Sequence, residues 1–549
     1  MKTSTSRSNT SGSDNSPMLY FLLAIILWLL VGVTSAQVKT TSSNGNWNNP
    51  AVWSPYGVPT SSDKIFIHHT ITLNQNFTPT DTIFVFNVLN ITSGKVLTLN
   101  SGIMVLVNTE NYNGQLGTIG TDANIVGNFI FQKWITRCDG FSTYGSPFNA
   151  LTGDFSWYYC NQCMPSWSNL YYYNEAVQGA LDNGFYDNIG GNIQRGKGFF
   201  YWYSNYQGGL DFSRQISLKG TIDFTTDFDF GITKTSIGNG NSDDGYNLIS
   251  NPFPGTIDWL SSSWTKRRVL NATYVWNSCT SSYASYVGGV GVNGGSRYIP
   301  SMQGFWVQAT RNNPQLKISS AAMVNTSQSL LKSSSVSDSI PRVLRLSLSG
   351  DEIAVRLDPN STLEQDSLTD ASKFFSEGSF ICSSVKSSTL DYAINSVNDT
   401  DVVISIKTRG AGTIDFKGAS DFEPEYTIYF KDLSTNASQS VNDEMHYTFT
   451  DTSLITFQKK FELHFVKNNL TSIKKEFENG TTIRYDDERV YIKLPEESQL
   501  PATVFMYDLS GLLIYSTVVT QVETTIPKST FPAVLRIQGQ NGSMARKIF

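Results

Sequence analysis

Four groups of residues in this 549-residue chain have types and spacings that chemistry uses. Cys160-Asn161-Gln162-Cys163 has the two-residue gap of zinc and redox motifs. Zinc needs two further ligands, and all four histidines lie far away in sequence. His68-His69 are adjacent on an apparent strand and so point to opposite faces, which keeps them from sharing one metal. Asp223, Asp227 and Asp229 alternate with apolar residues along Ile222 to Phe230, which places Asp227 and Asp229 on one face, as on a solvated sheet. A carboxylate pair for glycoside cleavage would also need a cleft and a raised pKa. Asn239-Gly240-Asn241-Ser242-Asp243-Asp244-Gly245 is rich in oxygen ligands that suit calcium, but it lacks EF-hand spacing and reads as a plain loop. No residue is assigned as catalytic or as a metal ligand.

The elements that would position these groups are read from composition and pattern. Charged residues are only 16% of the chain and aromatics 13%, a mixture that suits half-buried strands. A net charge of -6, scattered along the chain, gives no footprint for nucleic acid. A polar lead with Lys2 and Arg7, the apolar run Leu19 to Val33 and the small residues Thr34-Ser35-Ala36 read as a cleaved secretory signal, so the mature protein should start near Gln37. Beyond the inner membrane disulfides are permitted, and one is expected among Cys138, Cys160 and Cys163.

Short apolar runs recur from Lys64 to Trp134, separated by Asn, Gly, Ser or Asp. They predict either a small sandwich or a few coils of a β-solenoid, and their crowding favours the solenoid. An internal duplication follows. Gly145-Ser146-Pro147-Phe148, Trp157, Tyr172-Tyr173-Asn174 and Gly196-Lys197-Gly198-Phe199-Phe200 are echoed by Ser250-Asn251-Pro252-Phe253, Trp259, Val275-Trp276-Asn277 and Gln303-Gly304-Phe305-Trp306. Pro147 to Gly198 is 51 residues and Pro252 to Gly304 is 52, so the copies keep step. The aromatics read as core.

The expected fold class is all-β and multidomain. The expected boundaries are a signal at 1–36, a solenoid-like domain at 37–135, a duplicated β domain at 136–326 with copies at about 136–235 and 236–326, a Ser-rich linker at 327–341, a β-sandwich at 342–470 and a terminal module at 471–549.

At several of these places the sequence resembles a known family. Asn46-Trp47 to Trp53, with Val58-Pro59-Thr60 and Asp63, resembles the opening of many secreted proteins of Bacteroidetes-type bacteria. Tyr246-Asn247-Leu248-Ile249-Ser250-Asn251-Pro252-Phe253-Pro254 with Ile257-Asp258-Trp259 is similar to a signature recurrent among them. Asp370 to Phe374, Tyr426 to Leu433 and Phe461 to Phe465 resemble the β module just ahead of their sorting domain. Val504 to Gly511, Pro532 to Ile537 and Arg546-Lys547-Ile548 are similar to the type A sorting domain of the type IX secretion system, whose motif falls here on Tyr507, Asp508, Leu509, Gly511, Arg536, Ile537, Arg546 and Lys547. Ala533 and Leu535 stand where the family usually has glycine and tyrosine.

The resemblance implies export through the outer membrane by the type IX machinery, removal of the terminal domain, and release or attachment to surface lipopolysaccharide; it implies no catalytic activity. The expected role is a non-catalytic surface or secreted protein in adhesion, carbohydrate or matrix contact, without a cofactor unless calcium. The alternative is a polysaccharide-degrading enzyme with its site in the N-terminal half, which the few solenoid coils disfavour.

Overall fold

The computed structural model describes residues 36–135, 140–151, 170–177, 181–187, 192–203, 214–235, 244–326, 342–358, 360–361, 365–374, 380–385, 390–398, 404–409, 411–450, 458–468, 480–486, 488–495, 499–509, 511–529, 532–540 and 542–548. The proposed signal, the Ser-rich linker, Cys138, Cys160, Cys163 and most of the Asn239–Gly245 loop lie outside the described residues. The protein is all-β, with short 3-10 turns such as Pro50–Val52. Its chain divides into two compact units, one comprising Met1–Asn398, Ser405–Asp415 and His446–Lys459, the other Asp399–Ile404, Phe416–Met445 and Lys460–Phe549.

The first unit begins as a parallel β-solenoid. Strands Val38–Thr41, Lys64–Ile67, Thr82–Val85, Ile103–Leu106 and Phe129–Ile135 stack in parallel as one wall, and Gly45–Asn46, Ile71–Leu73, Val88–Ile91 and Gln115–Ile119 stack as a second. A third wall pairs Val96–Thr98 with Asn124–Val126. Registry puts like on like, because every second side chain faces inward. One interior column runs through Ile65, Ile83 and Met104, and another through Ile67, Val85 and Leu106, all fully buried. Antiparallel pairing, which a sandwich would need, is confined to the ends of this wall. Trp53–Ser54 pairs with the first strand and Arg214–Gly220 with the last rung. The Asn46-Trp47 to Trp53 motif builds the first end. Trp47 is fully buried against Trp53 (5.1 Å between centroids) and Phe77 (4.7 Å), and the Trp53 indole N–H donates to the Trp47 carbonyl at 2.8 Å.

The duplication is visible as one sheet order used twice. In the first copy Gly140–Tyr144, Phe199–Tyr203, Leu170–Tyr173 and Phe185–Asp187 lie side by side in that order. In the second the order is Tyr246–Ser250, Gly304–Gln308, Thr273–Asn277, Ser282–Val287 and Val290–Val292. The Pro-aromatic corners match as well. Ser146 Oγ accepts the Phe148 N–H at 3.1 Å, and Asn251 Oδ1 accepts the Phe253 N–H at 2.9 Å, side-chain turns that hold each proline corner.

The two copies meet reciprocally. Tyr144 bridges Gln303 while Ile249 bridges Lys197, and the Gly145 N–H donates to Met302 as the Ser250 N–H donates to Gly196. This is the contact pattern of a two-fold axis, built inside one chain. It explains the Gly-aromatic motifs. A Cβ on Gly304 would fall 2.6 Å from the Tyr144 carbonyl oxygen, and one on Gly198 would fall 2.6 Å from that of Ile249. Solenoid and duplicated region share one apolar core, running from Trp47 to Met323. A second cluster joins Tyr246, Tyr274 and Trp306 of the second copy to Ala354, Ala371, Phe374 and Ile394 of the strands that follow.

In the second unit, Tyr426–Asp432 pairs antiparallel with strand residues 461–467 and with Ser438–Ser440. The terminal module is a sandwich of two antiparallel sheets. One holds Thr482–Tyr485, Arg489–Lys493 and Glu523–Pro527; the other holds Leu513–Val519, Ala502–Asp508, Ala533–Gln538 and Ser543–Ile548. Their inner faces close a core from Ile483 to Ile548. Ala533 and Leu535 are fully buried in that core.

Candidate functional site

The outer face of the first solenoid wall carries a row of aromatic side chains. Alternation that sends Ile65, Ile67, Ile83 and Val85 inward sends Phe66 and Phe84 outward. Parallel register stacks Phe66 on Phe84 at 5.1 Å. Just past the strand ends, His68 stacks on Phe86 at 4.5 Å, and Tyr112 stands edge-on to Phe86 at 4.9 Å. Tyr112 is 44% exposed, so the row ends in an open ring face. Partial desolvation beside these rings, with the neighbouring His69, holds the His68 imidazole below its usual pKa, which favours its neutral form. The open ring at the end of this row can stack on the C–H face of a sugar or on another apolar ring.

His68 and His69 correct the sequence expectation: the strand ends at Ile67 and neither residue lies on it. His69 Nδ1 lies 2.9 Å from the Thr41 hydroxyl, which also accepts the His68 N–H at 2.9 Å. The aspartates differ too, because only Phe228–Asp229 is strand. Asp223 instead forms a turn, accepting the Thr225 hydroxyl at 2.7 Å and N–H at 2.9 Å, and these bonds keep its carboxyl below the usual range. Asp229 pairs with Lys317 at 3.2 Å. Among the described residues no cluster of three or more His, Cys, Asp or Glu side chains could hold a metal. Cys279 is disulfide-bonded and Cys382 is a free, buried thiol. Cys279 went unremarked in the sequence, although it follows the repeated aromatic-Asn motif by two residues.

The Ile257-Asp258-Trp259 motif is a structural node. Asp258 forms a two-pronged ion pair with Arg297, at 2.9 Å and 2.5 Å, while Lys266 Nζ lies 3.6 Å from the Trp259 ring centroid and donates to the Trp259 carbonyl and to Asn271 Oδ1, each at 2.7 Å. Burial drives the Lys266 amine down to about 7 despite the nearby Asp258. A small cleft of about 20 Å³ in the second copy is lined by Thr273, Tyr286, Tyr298 and Gln303.

In the terminal sandwich Tyr507 and Phe505 stack at 6.3 Å on the outer face, which Arg536 and Lys547 share by register. Asp508 closes the turn to Leu512, its carboxylate accepting the Leu512 N–H at 3.0 Å and its carbonyl the Gly511 N–H at 3.1 Å. Gly511 adopts φ 89°, a left-handed conformation that favours glycine. Leu509 and Arg546 are exposed, whereas Ile537 is core.

Comparison with known proteins places residues 38–465 on a family described as "Domain of unknown function (DUF8693)". The chain belongs to the DUF8693 family. The match runs from the first solenoid strand into the strand paired with Tyr426–Asp432, so the DUF8693 region includes the aromatic wall and both copies of the duplication. No curated protein matches the chain. No described helix is long and apolar enough to cross a membrane.

Proposed function

We propose that this DUF8693 protein is an exported, non-catalytic surface or secreted protein whose solenoid wall contacts carbohydrate or matrix. The observation that carries the reading is the row Phe66, Phe84, Phe86, His68 and Tyr112, an aromatic surface set outward on a rigid parallel sheet. Rungs about 4.8 Å apart fix the rings at regular intervals, close to the size of one sugar ring. The terminal sandwich serves as a type IX sorting domain. Its self-contained core and its outward Tyr507, Arg536 and Lys547 support that role.

The mature chain from Gln37, screened against a polysaccharide panel, tests the first part. Binding without turnover that Tyr112→Ala weakens supports it, and turnover favours a polysaccharide-degrading enzyme. For the second part, a chain ending at Asn469 should accumulate in the periplasm. If it still reaches the medium at the full-length level, the terminal sandwich is no sorting signal.

A further inference from the structure

The duplication builds the same aromatic cage twice, and among the described residues only one of the two holds a ring from the module that follows. In the second copy Phe374 enters from the strands beyond the duplication. Its ring lies 4.7 Å from Tyr246, 4.6 Å from Tyr274, 4.7 Å from Tyr283 and 6.2 Å from Trp306. Ladder registers map these four rings onto Phe141, Tyr171, Phe185 and Phe200 of the first copy. The geometry carries over. Phe141 is 5.8 Å from Tyr171 where Tyr246 is 6.1 Å from Tyr274, and 6.0 Å from Phe200 where Tyr246 is 6.5 Å from Trp306.

No ring among the described residues stands in the first cage as Phe374 stands in the second. Instead Trp202, which takes the place of Gln308, lies at its edge 4.8 Å from Phe141 and is 45% exposed. Phe141 and Tyr171 are half-buried where their counterparts Tyr246 and Tyr274 are buried, whereas Phe185 and Tyr283 are both half-buried and Phe200 and Trp306 both buried.

We propose that the first cage receives an aromatic side chain carried on an extended segment of another polypeptide. The occupied cage shows the mode. Phe374 follows the short strand Ala371–Ser372, and the Tyr274 hydroxyl accepts the Ser372 N–H at 3.0 Å. Tyr171 is the register equivalent of Tyr274 and offers a hydroxyl for the same backbone bond. The cages are also continuous, because Trp306 lies 6.0 Å from Phe185 and 6.2 Å from Phe200, so an established interface runs on into the open one. One difference tunes the partner. Exposed Asp187 replaces buried Ser285 beside the tyrosine, which favours a segment with a basic residue next to its aromatic. This site is distinct from the solenoid wall and does not depend on carbohydrate contact there.

The probe is the hexapeptide Thr369-Asp370-Ala371-Ser372-Lys373-Phe374 of this chain, added to the mature full-length protein and followed through broadening of its phenylalanine ring protons by NMR. Broadening should saturate in the millimolar range and vanish for the peptide carrying Phe374→Ala. Trp202→Ala, at an exposed position, should weaken it about three- to tenfold, the share of one aromatic contact. Tyr171→Phe, which keeps the ring, should weaken it through loss of the backbone bond. The proposal is overturned by no saturable broadening, by equal broadening with the Ala peptide, or by insensitivity to Trp202→Ala. It is equally overturned if oligosaccharides, and not the peptide, bind at Trp202.

Discussion

Position 145 in one copy and position 250 in the other face each other across the internal two-fold, and only one of them carries a side chain. A Cβ on Gly145 would come closer than 3.0 Å to both Cβ and Oγ of Ser250, and 3.1 Å from the Lys197 carbonyl oxygen. Gly145→Ser therefore forces overpacking of about 1–3 kcal/mol or more. Ser250→Gly alone removes the Oγ bond to the Lys197 carbonyl (3.2 Å), a loss of about 1 kcal/mol, with about 0.5–1 kcal/mol more from backbone freedom. Independent sites would add these losses. Because the axis makes the positions equivalent, the double variant Gly145→Ser/Ser250→Gly should instead return to within about 1 kcal/mol of the parent, its new hydroxyl facing the Gln303 carbonyl. Guanidinium unfolding of the four proteins, read as midpoints at constant slope, measures this cycle. A double variant as unstable as the sum of the singles would refute the internal symmetry as the reason for glycine at 145.

Trp47→Ala should cost about 3–5 kcal/mol, since a fully buried indole closes the first end of the solenoid, and a melting temperature within error of the parent would refute that closing role. Lys266 folds with a pKa of about 7 against 10.5 for the unfolded chain. Between those values the unfolded state binds the extra proton, so stability should rise with pH by at most about 1.4 kcal/mol per unit and be flat below. Lys266→Met should remove that part of the rise, leaving the share of buried Lys133, which titrates near 8; an unchanged profile would contradict it. Peptide mapping without reduction should find Cys279 in a disulfide and Cys382 as a thiol that alkylates only after unfolding, because burial raises its pKa and shields it. Rapid labelling of native Cys382 would count against its core position.

The alternating runs Lys64-Ile65-Phe66-Ile67 and Ile83-Phe84-Val85-Phe86 announced strands, and their outward Phe66, Phe84 and Phe86 form the candidate surface. Solenoid and sandwich share that pattern; only the partner strand, which local sequence does not encode, separates them. The repeated Pro-Phe and Gly-Phe motifs announced two β units, and Gly198 and Gly304 have their reason in cross-copy contacts between residues about 50 or 160 positions apart. Phe374 was invisible as a plug because its cage is assembled from Tyr246, Tyr274, Tyr283 and Trp306 on four other strands. The stretch from Asp223 misread as strand because its alternation mimics one, while Thr225 and Thr226 bond the Asp223 carboxylate and turn the chain.

The antiparallel strand Arg214–Gly220 on the last solenoid rung sets a timetable for the folding chain. Each parallel rung needs only the rung before it, so a chain that emerges N-terminus first can wind from Val38 to Ile135 without waiting. At Phe129–Ile135 winding stops with a row of unpaired amides and carbonyls, and the strand that covers it has yet to emerge. A chain that has emerged only as far as residues 136 to 213 therefore displays an open sheet edge, the surface on which holding chaperones and strand-to-strand aggregation act. The window closes in two stages, at Gly220 for the edge and at Gln303 for the reciprocal bridge to Tyr144.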